Sequence, residues 1–316
     1  MRYEYDTRSL SNEHVLVTGA SGFVGGAVIR ALRQAGAQVT VIDRVPFPAS
    51  GVSSLVGDLA DQRVRDAAVT EGLTGIVHLA AATSVLRSVE DPAGVYEENV
   101  AVTAGLLELA RARGVGRFLL SSTNAVVGDV RSETIREDTP LRPLTPYGAT
   151  KAACEMLMSA YAGSYGMATC ALRFTNIYGP GMSHKDSFVA RLMRAARLGG
   201  TVQIYGDGTQ RRDFVHVDDV VRGLLLAWEL RRVGPLIVGS GRSITVLEVL
   251  DAARRVTGCP LPAEHIPPKP GEMPAVIVDI TRARELGYEP AVDLESGLVS
   301  TWADWANLGD DQRQAV

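Results

Sequence analysis

Tyr147 and Lys151 stand four residues apart in Tyr147-Gly148-Ala149-Thr150-Lys151. That spacing puts both on one face of a helix. A phenol with a pKa of about 10 is a poor base at neutral pH, but a nearby ammonium favours the phenolate and lowers that value. The pair can give and take an alcohol proton. A second constellation lies near the N-terminus, Val15-Leu16-Val17-Thr18-Gly19-Ala20-Ser21-Gly22-Phe23-Val24-Gly25. It reads as strand, glycine turn and helix start. Gly19 permits the tight turn, Gly22 lets backbone approach a pyrophosphate, and Gly25 lets the helix pack closely, while free N–H groups at the helix N-terminus face the anion. Ser21, Phe23 and Val24 complete the candidate contact. Asp43 ends the next apolar run, about two dozen positions after Gly19. An acid there accepts both adenosine ribose hydroxyls and repels a 2′-phosphate, which favours NAD over NADP; the adjoining Arg44 weakens that preference. A bound, positively charged nicotinamide would lower the Tyr147 pKa further.

Further candidates follow along the chain. Asp58, with Leu59 beside it, could bond the adenine amino group or cap the following helix. Leu79, Ala80 and Ala81 would let the middle of the cofactor lie on backbone. The adjacent His78 reads as a satisfied buried histidine rather than a catalyst. Ser121-Ser122-Thr123-Asn124 ends another strand, where hydroxyls can reach a reacting oxygen in the crevice at the carboxyl ends of the strands.

These residues need strands alternating with helices. Strands are expected at His14–Thr18, Val39–Asp43, Val52–Gly57, Gly75–Ala80, Phe118–Ser122, Ala168–Arg173 and Leu236–Val238. Helices are expected at Gly22–Gln34, Val64–Thr70, Tyr96–Arg113 and Pro146–Tyr165. Apolar strands separated by helices imply a doubly wound parallel α/β sheet of Rossmann type. After Arg173 the rhythm changes. Residues 1–175, rejoined by about 213–240, form the expected nucleotide-binding domain. Residues 176–212 and 241–316 form a smaller, interleaved C-terminal substrate-binding lobe. The first dozen residues read as a loose tail.

Composition is that of an ordinary globular protein, with 316 residues, 46% hydrophobic, 22% charged and net charge −4. A mild acidic excess argues against a general nucleic-acid binder. No apolar run is long enough to span a membrane, and the charged N-terminus is not a signal peptide, so a cytoplasmic protein is expected. Three cysteines without metal-ligand spacing imply neither a disulfide framework nor a metal site.

The ordered set TGASGFVG, GDLAD, HLAAA, Asn99, SST, YGATK, LRFTNIYGPG, GDGTQRRDFVHVDD and PGEMPA resembles the extended short-chain dehydrogenases/reductases, of the nucleotide-sugar epimerase/dehydratase type. The resemblance spans about residues 14–300. It implies Tyr147 as acid/base, Lys151 as its partner and holder of the nicotinamide ribose, and Thr123 as the catalytic hydroxyl, with Ser121 on the cofactor. It implies that Asn99 supports the active-site helix or its water, close to the cofactor. Asn176 would touch the substrate, and Arg212 would clamp its diphosphate with a guanidinium fork. Lys269 would take the place of a second phosphate-binding arginine. Thr83, Asn124, Val189, Gln203 and Tyr205 are the remaining implied substrate contacts. The family also implies a homodimer through a four-helix bundle, with Val102, Leu106 and Leu109 on its exposed stripe.

Two departures bear on the reaction. Val126-Val127-Gly128 lacks the aromatic hydroxyl of the family's Val-Tyr-Gly. Dehydratases place an Asp-Glu pair after the catalytic threonine, and here Asn124 and Ala125 stand there. Neither can move a proton, which disfavours 4,6-dehydration. The expectation is an NAD-dependent 4-epimerase of a nucleotide-diphosphate sugar, a UDP-sugar first and a dTDP-sugar second. A 4-keto-sugar reductase or a dehydratase of the same family is the alternative.

Overall fold

Continuous apolar runs become strands buried on both faces, as a parallel sheet covered by helices requires. A computed structural model describes residues 10–48, 50–131, 133–267 and 275–307. In chain order the strands are β1 (His14–Thr18), β2 (Gln38–Asp43), β3 (Ser53–Val56), β4 (Gly75–His78), β5 (Arg117–Thr123), β6 (Thr134–Ile135), β7 (Ala168–Phe174), β8 (Asn176–Tyr178), β9 (Val202–Tyr205), β10 (Arg211–His216), β11 (Gly234–Val238), β12 (Ser243–Thr245), β13 (Ala263–Ile266) and β14 (Ile277–Val278). The helices are α1 (Phe23–Gln34), α2 (Gln62–Ala68), α3 (Val85–Glu90), α4 (Pro92–Tyr96), α5 (Val102–Ala112), α6 (Pro146–Tyr165), α7 (Phe188–Leu198), α8 (Val217–Glu229), α9 (Val246–Thr257), α10 (Thr281–Glu285) and α11 (Leu294–Ala306).

The main sheet has seven strands in the order β11-β7-β5-β4-β1-β2-β3, and every neighbouring pair is parallel. The chain runs outward from β1 to β3, then returns to the other side of β1 as β4. The loops leaving β1 and β4 therefore diverge, and a crevice opens between them. Thr18, His78, Thr123 and Phe174 end the strands around it. Apolar clusters lie on both faces of the sheet. One continues through α1 and α8 into α7, α9 and α11. The other lies under α2, α5 and α6.

Beside the main sheet stand a three-stranded sheet, β12-β10-β8, and the pairs β13-β9 and β14-β6. The chain alternates between sheets, because β11 joins the main sheet after β10 has paired with β8. Among the described residues no helix is long and apolar enough to cross a membrane, and no group of three His, Cys, Asp or Glu is placed to hold a metal.

Local signals explain the element ends near the site. Thr145 Oγ1 accepts from Gly148 N at 3.2 Å, Pro146 occupies the first turn of α6, and Gly166 ends it with φ 67°.

Three expectations need correction. Leu10 is not part of a loose tail; it is buried, and its N–H donates to Ala35 O at 2.7 Å. The long helix expected at Tyr96–Arg113 is α4 and α5 joined through a π-helical turn at Glu97–Ala101. The extra residue in that turn re-aims Asn99. Val102 and Leu106 do not form an exposed stripe; both are buried in the cluster against the sheet, and Leu109 packs partly buried on it. Helix α11 was not among the expected helices; its buried face mixes small and large residues, Gly297, Leu298, Thr301 and Trp305. A Cβ on Gly297 would come within 2.8 Å of the Tyr178 ring.

Candidate active site

The β1–α1 turn is shaped by what a side chain would strike. Gly19 has φ +70°, and a Cβ there would lie 2.6 Å from Ala80 N. A Cβ on Gly25 would lie 2.5 Å from the Ala20 carbonyl oxygen, so close packing of α1 against its own turn requires glycine. Gly22, the residue before α1, has only the Gly19 oxygen nearby, at 3.2 Å, and otherwise opens on the crevice. The N-terminus of α1 thus faces a cavity lined by Gly19, Gly22, Phe23, Val24 and Gly25. A dinucleotide's diphosphate fits this cradle.

Beyond the turn, a cavity lined by Asp43, Arg44, Asp58, Leu59, Ala80 and Ala81 suits the adenosine end. The Asp43 carboxylate is oriented by Ser21 N at 3.0 Å and Arg44 N at 2.7 Å. The Arg44 guanidinium bonds Asp58 at 3.2 Å and Glu98 at 2.9 Å. It is therefore committed to two carboxylates, and the preference for NAD that Asp43 sets is not offset. Asp58 does not cap α2; that helix is capped by Asp61.

The candidate catalytic residues come together at the end of β5. Tyr147, Lys151, Ser121 and Thr123 line one cavity with the glycine turn and Leu79. Tyr147 and Thr123 are hydrogen-bonded, yet burial outweighs that bond and pushes the phenol up to about 12. Lys151 is 2% exposed, and its ammonium donates to the Ser121 carbonyl oxygen at 2.9 Å. Burial brings the Lys151 pKa down to about 8, against the opposing pull of Cys154 and Glu155. The expected lowering of the Tyr147 pKa by Lys151 is therefore reversed in the protein alone, because desolvation of the phenolate is the larger effect. The Ser122 hydroxyl donates to Glu155 at 2.5 Å. Glu155 in turn holds Arg173 in a buried ion pair at 2.8 Å.

Asn99 faces protein on all sides. Its amide accepts from Ala82 N at 2.8 Å and donates to Ala82 O and to Thr150 Oγ1, both at 3.0 Å. It braces the β4 loop against α6 between Tyr147 and Lys151 and does not line the cofactor cavities. His78 is the satisfied buried histidine expected, with Nδ1 2.7 Å from Thr18 Oγ1 and a pKa held down to about 3 by burial.

A third cavity adjoins the catalytic one at Ile177 and Ser187. It is lined by Asn176, Val189, Gln203, Tyr205 and Arg212, five residues spread over β8, α7, β9 and β10. Asn176 donates to Asp213 O at 3.0 Å. Arg191 lies over the Tyr205 ring at 5.9 Å. The acids of the RRDFVHVDD motif have structural work. Asp213 accepts from Thr175, Ser240 and Arg242, and Asp219 accepts from Ala291 and Val292. Thr83 does not join this cavity; it lines both cofactor cavities. Lys269 and part of the PGEMPA segment lie outside the described residues.

A sequence profile described as the NAD dependent epimerase/dehydratase family matches residues 15–238. The chain belongs to this family. It is 32% identical to a UDP-glucose 4-epimerase of Corynebacterium glutamicum, with 95% of this chain and 98% of that one covered. It is 34% identical to a dTDP-glucose 4,6-dehydratase of Streptomyces griseus, over 92% and 93% of the two chains. Among solved structures it is similar to the UDP-glucose 4-epimerase of Thermotoga maritima with UDP-glucose, with TM-score 0.87, 32% identity and coverage of 93% and 98%. It is also similar to MoeE5 in complex with UDP-glucuronic acid and NAD, with TM-score 0.86, 35% identity and coverage of 96% and 100%. The family's cofactor is NAD, and the glycine cradle, Asp43 and the paired Arg44 fit it.

The residue after Thr123, where the resemblance places an acid in dehydratases, is Asn124. Asn124 is buried; its Nδ2 reaches Phe174 O at 3.4 Å, and its Oδ1 has no hydrogen-bond partner among the described residues. It sits in the short helical turn after β5 and does not line the catalytic cavity. The family resemblance gave no role to Phe174 and Thr175 of its LRFTNIYGPG motif, nor to Lys185 and Ser187, and all four line that cavity. They come from the end of β7 and from the loop after LRFTNIYGPG, which has no periodicity to mark them.

Proposed function

We propose that this enzyme inverts C4 of a UDP-sugar through a transient 4-keto sugar. The observation that carries the reading is the placement of Tyr147, Thr123 and Lys151 where the cofactor cavity meets the Asn176–Arg212 cavity, with the non-ionisable Asn124 and Ala125 following Thr123. The cofactor would rest on residues 1–175 with 213–240, and the sugar nucleotide on 176–212 and 241–316.

The glycine turn, Asp43 and Lys151 would hold NAD, which when bound would supply the hydride acceptor and donor for C4 of the sugar. Tyr147 takes the proton of the C4 hydroxyl as that carbon is oxidised. Thr123 hydrogen-bonds the same oxygen and stabilises the charge that develops on it. Arg212 and Asn176 anchor the diphosphate end while the 4-keto sugar turns to present its other face. Tyr147 then returns the proton to the alcohol oxygen. Its pKa of about 12 in the protein alone would fall beside a positively charged nicotinamide. Dehydration needs a further acid and base at C5 and C6, and Asn124 and Ala125 supply neither.

Incubation of the purified enzyme with UDP-glucose, UDP-N-acetylglucosamine and dTDP-glucose, followed by proton NMR, tests this reading. C4 epimers should form without net change in NADH absorbance. A 4-keto-6-deoxy product from dTDP-glucose, or stoichiometric consumption of reduced cofactor, would overturn it in favour of the dehydratase or reductase.

A homodimer through α4 and α6 belongs to the same reading. Tyr96 and Met156 are exposed there, and they replace the buried Val102 and Leu106 as the apolar stripe. Sedimentation of wild type and M156E distinguishes dimer from monomer.

A further inference from the structure

The two halves of the cofactor groove share five lining residues, Gly19, Gly22, Leu79, Thr83 and Lys185. Four of them belong to the cofactor domain and carry no charge. The fifth, Lys185, comes from the loop between β8 and α7, part of the other lobe. Gly19 and Gly22 mark where the diphosphate meets the α1 N-terminus, so Lys185 stands at the middle of the dinucleotide and not at either end.

Its surroundings are unusual for a lysine. The side chain is half-buried, and its ammonium has no carboxylate or hydrogen-bond partner among the described residues. Burial alone moves its pKa, downward. The acids at the adenosine end are already engaged, since Asp58 and Glu98 hold Arg44 and Glu98 also holds Arg87. A half-buried cation without a counter-ion is costly unless an anion arrives.

The loop is braced so as to present this cation. Lys185 N donates to Met182 O at 2.9 Å. The Arg194 guanidinium of α7 donates to the carbonyls of Ser183 and Lys185 at 3.2 and 3.1 Å. Gly181 N donates to Asp304 of α11 at 2.8 Å. A lysine held this way loses less freedom on meeting its ligand.

We propose that Lys185 is a clasp for the NAD diphosphate, closing from the substrate lobe on the side of the groove opposite the α1 N-terminus. The backbone amides of α1 hold one side of the diphosphate and the Lys185 ammonium holds the other. NAD retention is thereby tied to the lobe that carries the sugar-nucleotide cavity, because Ser187 and α7 continue directly from the same loop.

Calorimetric titration of full-length protein freed of nucleotide tests the clasp, using wild type, K185M and K185R with NAD+, ADP-ribose and AMP. A charge-assisted contact to the diphosphate predicts that K185M weakens NAD+ and ADP-ribose alike by about 10- to 100-fold. AMP, which lacks the bridging diphosphate, should change by less than about threefold, and K185R should recover most of the loss. Thermal unfolding of K185M without nucleotide should be no lower than wild type, since the brace uses only the backbone of Lys185 and the substitution removes an uncompensated charge. Unchanged NAD+ affinity in K185M would overturn the proposal. So would an equal loss for AMP, or a defect confined to the KM for the sugar nucleotide. None of these binding readouts depends on which sugar is epimerised, so failure of the clasp and failure of the epimerase reading are separable.

Discussion

The Lys151 ammonium donates to the Ser121 carbonyl oxygen at 2.9 Å. This bond ties α6 to the end of β5 and holds the lysine two residues before Thr123, the last residue of that strand. The charge is thus placed by backbone and does not depend on the state of Tyr147. Y147F should lower kcat by about 10²- to 10⁴-fold, the usual contribution of a positioned acid/base, while bound NAD, measured by absorbance after denaturation, stays near wild type. K151M should lower kcat similarly and also release NAD.

The phenol of Tyr147 should titrate very differently with and without cofactor. Ultraviolet titration at the phenolate band, taken as wild type minus Y147F, is expected to give a pKa of about 12 for nucleotide-free protein. NAD+ should move it downward through the nicotinamide charge. No downward movement on loading would remove the electrostatic activation on which the mechanism depends.

Lys151 links stability to pH in a direction that follows from its lowered pKa. Below about 8 both native and unfolded states hold the proton, and the full burial penalty applies. Between about 8 and the ordinary 10.5 the native state releases the proton first. The unfolded state then binds more protons, and this residue's contribution to stability rises with pH. Urea unfolding of wild type and K151M at pH 7.5 and 9.5 should show the difference moving in favour of wild type at the higher pH. A difference independent of pH would contradict the burial of a charged Lys151.

Gly25→Ala places a methyl group 2.5 Å from the Ala20 carbonyl oxygen. It should destabilise the protein by about 1–3 kcal/mol, as overpacking does, and deplete bound NAD, because the displaced turn is the diphosphate cradle. Thermal unfolding and NAD content check both effects.

The buried Glu155–Arg173 pair supports the strand that ends at Thr123. Arg173→Met leaves the Glu155 carboxylate without its ion-pair partner and should cost about 3–5 kcal/mol in urea unfolding. A cost below about 1 kcal/mol would mean that Ser122 and water satisfy Glu155 on their own.

Much of this protein is set by local sequence. The β-branched runs at β1, β2, β4, β5 and β7, the glycines at 19, 22 and 25, and the Tyr147/Lys151 spacing specify strand, turn and helix face from neighbours only a few residues away. The parallel sheet and the cofactor cradle were therefore legible, as was the gathering of Thr123, Tyr147 and Lys151. Family order carried the reading as far as Arg212 and Asn176.

Other features depend on contacts between distant segments. Val102 and Leu106 have the same pattern whether they face a partner or the sheet, and only the packing of α5 puts them inside. The π-helical turn aims Asn99 at Thr150 rather than at the cofactor, a rotation that no periodicity records. Tyr147 and Lys151 share a helix face, which suggested mutual activation; burial of the pair sets the Tyr147 pKa instead, because desolvation depends on everything packed around a group. Lys185 lies in an aperiodic loop, 166 residues beyond Gly19 in the chain. Only the fold of the second lobe over the crevice brings its charge to the place where sequence had put a diphosphate.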